Sequence, residues 1–553
     1  MGGQFTGGLV EELRIFGPPG TGKTTTLSGL IAEACRQEGS ESVLVSSFTK
    51  AAARELAWRD LPLDSERIGT LHAHCYRALD RPKLATGKAL ADWNAEHPRW
   101  AIEAGGGADL DDPYGAHAFR VAEFPGDRAM LEYECLRARC IPQDAWPLRV
   151  QEFATSWEEW KRAAGVVDFT DLIEECRTNH VPPPVEASTL FLDEVQDLST
   201  NELALARQWA THMDRLIISG DDDQCLYSWR GATPDAFLLP PLPPAQKRVL
   251  RQSYRVPIAV HAVATEWIEG LSMREPKDYA PRNAEGLVAR VPNIMWRMPD
   301  RLLDRLEEHL ARNQTVAILA SCAYMLTPII KTLRAHGIPF HNPYQRRRSD
   351  WNPLLAKAGT ISTAERVLAY LKVSEERVWW TYQDLYLWTS MLQADGVFAH
   401  GAKAAMRRLA DTDPSQLVST DHLDAWFVGT EAGEKAAAGD LDWYAQRLLR
   451  SCERPMSYAC QVVERHGTAG LREEPQIIVG TIHSIKGGEA SAVYLFPDLS
   501  AAGFLNWHGP QEAQDTVRRM FYVGMTRARD ELHICQPSGP NVSIGVGPGF
   551  CSR

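Results

Sequence analysis

Leu13-Arg-Ile-Phe16 runs without a break into Gly17-Pro-Pro-Gly-Thr-Gly-Lys-Thr24, and this stretch decides how the chain is read. The first four residues have strand character, the next eight form a glycine-rich loop, and Thr25 to Arg36 places apolar residues at helical spacing. Strand, loop and helix in that order present the unpaired amides and partial positive charge of a helix N-terminus to an anion. In such a loop the backbone N–H groups cradle phosphates, a lysine neutralises the β and γ groups, and a hydroxyl holds magnesium. Gly17, Pro18, Pro19, Gly20, Thr21, Gly22, Lys23 and Thr24, with Thr25 in the first helical turn, are therefore the candidate phosphate-binding residues.

Working outward, Val43 to Phe48, Thr189 to Leu192 and Leu216 to Ser219 are further apolar runs separated by helical segments. They predict a mainly parallel sheet covered by helices on both faces. One of them, Thr189-Leu-Phe-Leu-Asp-Glu194, ends in two carboxylates. Asp193 suits a magnesium ion and Glu194 suits orienting or deprotonating an attacking water. An Asp-Glu pair after a strand is common in solvated loops. Its weight here comes from Gln196 and Asp197, which follow at once, and from Gly220-Asp-Asp-Asp-Gln224 after the next strand. ATP and Mg2+ are the cofactors this combination predicts.

Between Leu79 and Gly165 the sequence turns Trp-, Arg- and Glu-rich and helical, interrupted only at Gly105 to Gly107. A proline-rich joint, Pro240-Pro-Leu-Pro-Pro244, leads to a second α/β region whose clearest strands are Val316 to Leu319 and Ile477 to Val479. The expected organisation is a first α/β domain from residues 1–80 and 166–244, with a helical insertion over 81–165. A second follows from 245–372 and 475–540, with a reduced helical insertion over 373–474 and a flexible tail over 541–553.

The 553 residues exceed what one hydrophobic core supports, consistent with several domains. Eleven cysteines at irregular intervals match neither a disulfide framework nor a zinc site, so reduced structural thiols are expected. Charge interrupts every apolar stretch before the roughly 18 residues a membrane span needs, and no basic-then-apolar leader opens the chain. A cytoplasmic location is expected. A net charge of −12 excludes a surface coated in basic patches, but not a local nucleic-acid groove.

At this point the residues resemble the UvrD/Rep-type superfamily 1 DNA helicases. Beyond the phosphate loop and the acidic motif Asp193-Glu-Val-Gln-Asp197, the resemblance is carried by Ser47-Phe-Thr-Lys-Ala-Ala-Ala53, Gly69-Thr-Leu-His72 and Asp168-Phe-Thr-Asp-Leu-Ile173. It continues in Gly220 to Ala232, Gln252-Ser-Tyr-Arg255, Thr481 to Glu489 and Tyr522-Val-Gly-Met-Thr-Arg-Ala528, all in the family's order. The fold it implies is two RecA-like P-loop domains, parallel sheets with flanking helices, each carrying a mainly helical insertion. The activity it implies is ATP-dependent 3′ to 5′ movement on single-stranded DNA with unwinding of the duplex. Single-strand/duplex junctions and replication or repair proteins would be the partners.

In that family the nucleotide lies between the two α/β lobes. The resemblance gives Lys23, Glu194, Gln224, Arg255 and Arg527 to catalysis, Thr24 and Asp193 to the metal, Tyr254 to adenine stacking and Glu489 to the ribose. Arg255 and Arg527 would act as arginine fingers. Phe48, Tyr227 and Trp229 match positions where rings meet unpaired bases, and Thr49, Thr70, His72, Arg230, Thr481 and His483 match positions near DNA. The sequence departs from the family pattern in three places. No adenine-reading glutamine segment precedes the loop, the loop itself reads like the 5′ to 3′ branch, and Gly488 replaces a usually apolar residue. A translocase that strips proteins without unwinding and a non-catalytic loading module stay open as alternatives.

Overall fold

A computed structural model describes residues 11–48, 63–103, 124–345, 350–356, 359–373, 378–539 and 542–544. The chain forms two compact units, Met1–Gly286 with Leu505–Thr526, and Leu287–Phe504 with Arg527–Arg553.

The first unit is built on β1 (Glu11–Phe16), β2 (Val43–Ser47), β3 (Ile68–Gly69), β4 (Thr189–Asp193), β5 (Arg215–Gly220) and β6 (Lys247–Val249). They form one parallel sheet in the order β3-β2-β4-β5-β1-β6. The strands are apolar on both sides because helices cover both faces. Ile15, Val43, Val45, Phe191 and Ile217 pack with Leu27 and Ile31 on one face. Their neighbours Phe16, Leu44, Leu190, Leu192, Leu216 and Ile218 pack with Trp209 and Phe237 on the other. This is the period-2 alternation of a strand. Since every pair is parallel, all carboxyl ends share one edge, where ligands of open α/β sheets bind.

The helices Lys88–Glu96, Asp127–Ala138 and Leu148–Ala164 have their own aromatic core of Trp93, Trp100, Tyr133, Phe153 and Trp157. Buried charge pins them to the helix Phe169–Thr178. Arg137 lies 3.1 Å from Asp168 and 2.7 Å from Asp171, and Lys161 lies 2.7 and 2.6 Å from the same two carboxylates. Asp168 and Asp171 also close that helix's capping box. Burial opposes ionisation of Asp168, yet Lys161 and Arg137 hold its carboxyl below the usual range. After the proline run the chain stays with the first unit: β6 pairs with β1, and β7 (Gln252–Pro257) pairs with β8 (Ala280–Arg282).

The second unit has β9 (Leu287–Val291), β10 (Val316–Ala320), β11 (Phe340–His341), β12 (Ile477–Thr481), β13 (Ala490–Leu495) and β14 (Ala528–Cys535), parallel in the order β11-β12-β10-β13-β14-β9. Between β11 and β12, helices including Thr363–Tyr370, Tyr382–Thr389, Ala402–Thr412 and Arg450–His466 enclose a second core. It is centred on Tyr370, Trp380, Trp388 and Tyr444, with the two tyrosine rings stacked at 4.4 Å. The described cysteines are free thiols. No helix among the described residues is long and apolar enough to cross a membrane.

Candidate nucleotide and nucleic-acid sites

The phosphate loop leaves the carboxyl end of β1 and turns into the helix Lys23–Glu38. Gly20 and Gly22 have φ of +73° and +77°, the left-handed region open to glycine. A side chain at Gly20 would also strike its neighbours, since an added Cβ would lie 2.5 Å from Arg255 Cβ and 2.9 Å from Ser253 Oγ. Strand β7 is the cause. The Tyr254 amide donates to the Gly20 carbonyl at 2.8 Å, and the buried Ser253 hydroxyl donates to the Pro19 carbonyl at 2.8 Å. Arg255 is thus fixed beside the loop by its backbone, while the Tyr254 ring is 69% exposed. Within the loop, Thr21 Oγ1 donates to the Pro18 carbonyl at 2.7 Å, and the Gly17 amide donates to the Gly220 carbonyl at 2.9 Å.

Lys23 Nζ donates to the Gly17 carbonyl at 3.0 Å and lies 3.9 Å from Glu194. Thr24 Oγ1 donates to Asp193 Oδ2 at 3.5 Å, so a hydroxyl and a carboxylate converge at the helix N-terminus. This hard oxygen set fits Mg2+, and it leaves room for the phosphate oxygens and waters that ion prefers. Asp193 is buried at the end of β4, and Glu194 follows with φ of +53°, rare for a residue with a side chain. Its carboxylate accepts from Gln196 Nε2, while Gln196 Oε1 accepts the Asp221 amide at 2.9 Å. Sheet order explains how distant motifs meet: β5 lies between β4 and β1, so Gln224 follows the strand flanked by the acidic and phosphate-loop strands.

Gln224 is held by Asp221, whose Oδ2 accepts from its Nε2 at 2.7 Å. Asp221, Asp222 and Asp223 are fully buried and converge on Lys277, whose Nζ lies 3.2, 2.5 and 3.0 Å from them. Arg274 adds two bonds to Asp223, at 3.0 and 2.7 Å. Burial pushes the Asp222 carboxyl up to about 6 against the pull of Lys277, while Lys277 and Arg274 outweigh burial and hold Asp223 below its ordinary value. Arg519, on the helix Gln511–Met525, donates to the Asp222 carbonyl at 2.9 Å and to the Met273 carbonyl at 2.7 Å. Ser253, Arg274, Lys277 and Arg519 were not picked out from the sequence. Three consecutive acids after a buried strand need counter-charge, but nothing local says which cation supplies it.

Phe48, Tyr227, Trp229 and Arg230 come together. The Phe48 and Tyr227 rings lie 5.3 Å apart, Tyr227 and Trp229 meet edge-on at 6.2 Å, and the Arg230 guanidinium sits 4.6 Å over Phe48 and 5.7 Å from Tyr227. All four are half-buried. Thr70 and His72 are more buried than this cluster. Thr70 is buried and caps the helix Leu71–Ala78 through the Ala73 amide, and His72 is buried with Nδ1 3.5 Å from Glu202. Thr49 lies outside the described residues.

In the second unit, Thr481 is buried at the end of β12 and accepts from the Ser484 amide at 3.3 Å, and His483 opens the short helical turn after it. Glu489 pairs with Arg529 at 3.2 Å. Arg527 is buried and donates to the Gly488 carbonyl at 3.2 Å. A Cβ at Gly488 would meet the far end of the exposed Tyr344 side chain at 2.4 Å.

A phosphate loop on β1, carboxylates two strands away and a polar residue at the end of the intervening strand form the arrangement shared by P-loop nucleotide-binding proteins. Residues 11–230 match the family described as an AAA domain, and residues 476–535 match the UvrD-like helicase C-terminal domain. The ATP-dependent DNA helicase PcrA of Staphylococcus aureus is 26% identical over 297 residues, covering 50% of this chain and 40% of PcrA. A probable DNA helicase of Mycoplasma pneumoniae is 26% identical over 293 residues, covering 48% and 54%. The ATP-dependent DNA helicase Rep of Escherichia coli is 26% identical over 439 residues, covering 67% and 64%. The match spans less than two thirds of each relative. The two family models and the three helicase relatives together support a UvrD/Rep-type superfamily 1 helicase.

Proposed function

We propose that the protein is an ATP-driven motor that moves 3′ to 5′ along single-stranded DNA and unwinds the duplex ahead of it. The observation that carries this reading is the continuity of one segment. Gly220 accepts the first amide of the phosphate loop, Gln224 follows on Asp221, and Tyr227, Trp229 and Arg230 join the Phe48 ring cluster. A change at the phosphate end therefore has a short covalent path to rings suited to stacking on bases.

Lys23 neutralises charge on the ATP phosphates, and Thr24 and Asp193 would hold Mg2+, which would supply Lewis-acid stabilisation of phosphate oxygens. Glu194, steadied by Gln196, orients and deprotonates the attacking water, and Gln224 senses the γ-phosphate. Arg255, fixed beside the loop, and Arg527 act as arginine fingers, Tyr254 stacks on adenine and Glu489 binds the ribose. Phe48, Tyr227 and Trp229 stack on bases beside Arg230, and Thr481 and His483 lie near the strand. Thr70 and His72 lie near the strand as well, Thr70 as a helix cap and His72 beside Glu202. The relatives named as DNA helicases support the substrate.

The test is ATP hydrolysis with and without single-stranded DNA, together with unwinding of 3′- and 5′-tailed duplexes. DNA-stimulated hydrolysis with unwinding from a 3′ tail is expected. A strict need for a 5′ tail overturns the polarity, protein displacement without unwinding gives the translocase, and absent hydrolysis leaves only a loading module.

A further inference from the structure

In the second unit, an open groove of about 410 Å³ runs between the helices Ala323–Ala335 and Arg450–His466, and none of its lining residues belongs to a motif described above. Lys331 and Arg334 line one side and Arg450 and Arg454 the other, with Glu453 the one carboxylate among the lining residues. The spacings i, i+3 and i, i+4 put each pair on one face of its helix. The opposite face of Arg450–His466 is spent in the core through Met456, Ala459, Cys460 and Val462, and the Tyr458 hydroxyl ties the two sides together by donating to the Ile338 carbonyl at 2.9 Å.

Two features point to an anion site. Arg334 bonds Asp350, but Lys331, Arg450 and Arg454 have no counter-ion among the described residues, in a chain whose net charge is −12. Arg450 and Arg454 also sit in the first turns of their helix, the end whose dipole disfavours cations. The lining identifies the anion. Pockets for organic molecules are mainly apolar with a few polar groups. Here Ala335 and Tyr458 are the apolar contributors, and Ser457 and Gln461 add hydrogen-bonding groups to the four cations. An open groove lined by four cations suits a chain of phosphodiesters.

We propose that this groove binds the phosphate backbone of nucleic acid, as a second contact independent of the ring cluster. The inference rests on the DNA-motor reading. The test compares Arg450→Gln/Arg454→Gln with the unaltered protein, measuring affinity for single-stranded and 3′-tailed duplex DNA across a salt series. Loss of two phosphate contacts lowers the salt slope by about 1.4 on single strands or about 1.8 on duplex, and weakens binding on the order of 25- to 60-fold at 0.1 M salt. Hydrogen-exchange protection of the second unit and basal ATP hydrolysis stay unchanged, because both arginines are exposed. Glu453→Gln removes the opposing carboxylate and tightens binding, a sign that structural damage would not give. Unchanged slopes on both DNAs overturn the groove. So does loss of poly-glutamate binding with DNA slopes intact, which would assign it to an acidic protein. An unaltered protein that binds no DNA at all refutes the motor reading, and this inference with it.

Discussion

Replacing Lys277 by methionine removes the cation shared by three fully buried carboxylates, with Nζ contacts of 3.2, 2.5 and 3.0 Å to Asp221, Asp222 and Asp223. Arg274 still bonds Asp223, and the Glu275 amide still donates to Asp222 at 2.9 Å, but no second cation within bonding distance of Asp222 takes over. Breaking a buried ion pair by removing one partner costs about 3–5 kcal/mol, because the other charge stays desolvated. The cost depends on pH. A carboxyl whose folded pKa lies above its unfolded value loses stability as pH rises between the two, and Asp222 stands at about 6 against 3.8. Without Lys277 the folded value rises further, so variant and unaltered protein separate above about pH 6 and the penalty is larger at pH 8 than at pH 5.5. With two compact units, a single unfolding midpoint is ill-defined, so hydrogen exchange across β5 is the better assay. Lys277→Met/Asp222→Asn removes both charges and should recover about 1–3 kcal/mol, the coupling typical of neighbours in one network. Equal β5 protection in Lys277→Met and the unaltered protein at pH 8, or a penalty independent of pH, would refute the electrostatic account.

Arg255→Ala should bind ATP normally yet lose hydrolysis by a factor on the order of 10³, with hydrogen-exchange protection of the first unit unchanged; near-normal turnover would remove Arg255 from the chemistry. Trp229→Ala should lose roughly 1–3 kcal/mol of base contact while ATP hydrolysis at saturating DNA survives and unwinding suffers. A core role instead gives about 3–5 kcal/mol of destabilisation and parallel loss of both activities. Burial pushes the His74 pKa down to about 3, its Nε2 bonded to the Val45 carbonyl at 3.0 Å and its Nδ1 to Arg77 at 2.8 Å. Below its unfolded value of 6.5 the unfolded chain takes up a proton that the native state refuses, so stability falls by about 1.4 kcal/mol per pH unit from that group. His74→Gln should flatten that slope between pH 6 and 4 in hydrogen exchange of the first unit, and identical slopes would refute it.

Features set by neighbours along the chain were legible in the sequence. Backbone geometry alone makes Leu13 to Thr24 a strand, an anion-binding loop and a helix start, and period-2 burial makes the apolar runs parallel strands covered on both faces. The grouping of Phe48 with Tyr227, Trp229 and Arg230 was foreshadowed by the family motifs, although no spacing law connects residues so far apart. Other features were decided by tertiary structure alone. Sheet order sets β5 between β4 and β1; β7 docks on Gly20 through Ser253; and the Lys277 side chain is drawn inside by three carboxylates. Thr70 and His72, expected near DNA from the motif, also take tertiary roles the sequence does not show, one capping a helix and the other lying beside Glu202. The physical reason is common to these cases. Periodicity and turn chemistry act over a few residues, whereas the partner of a buried polar group is chosen by whichever distant side chain packing brings within hydrogen-bond reach.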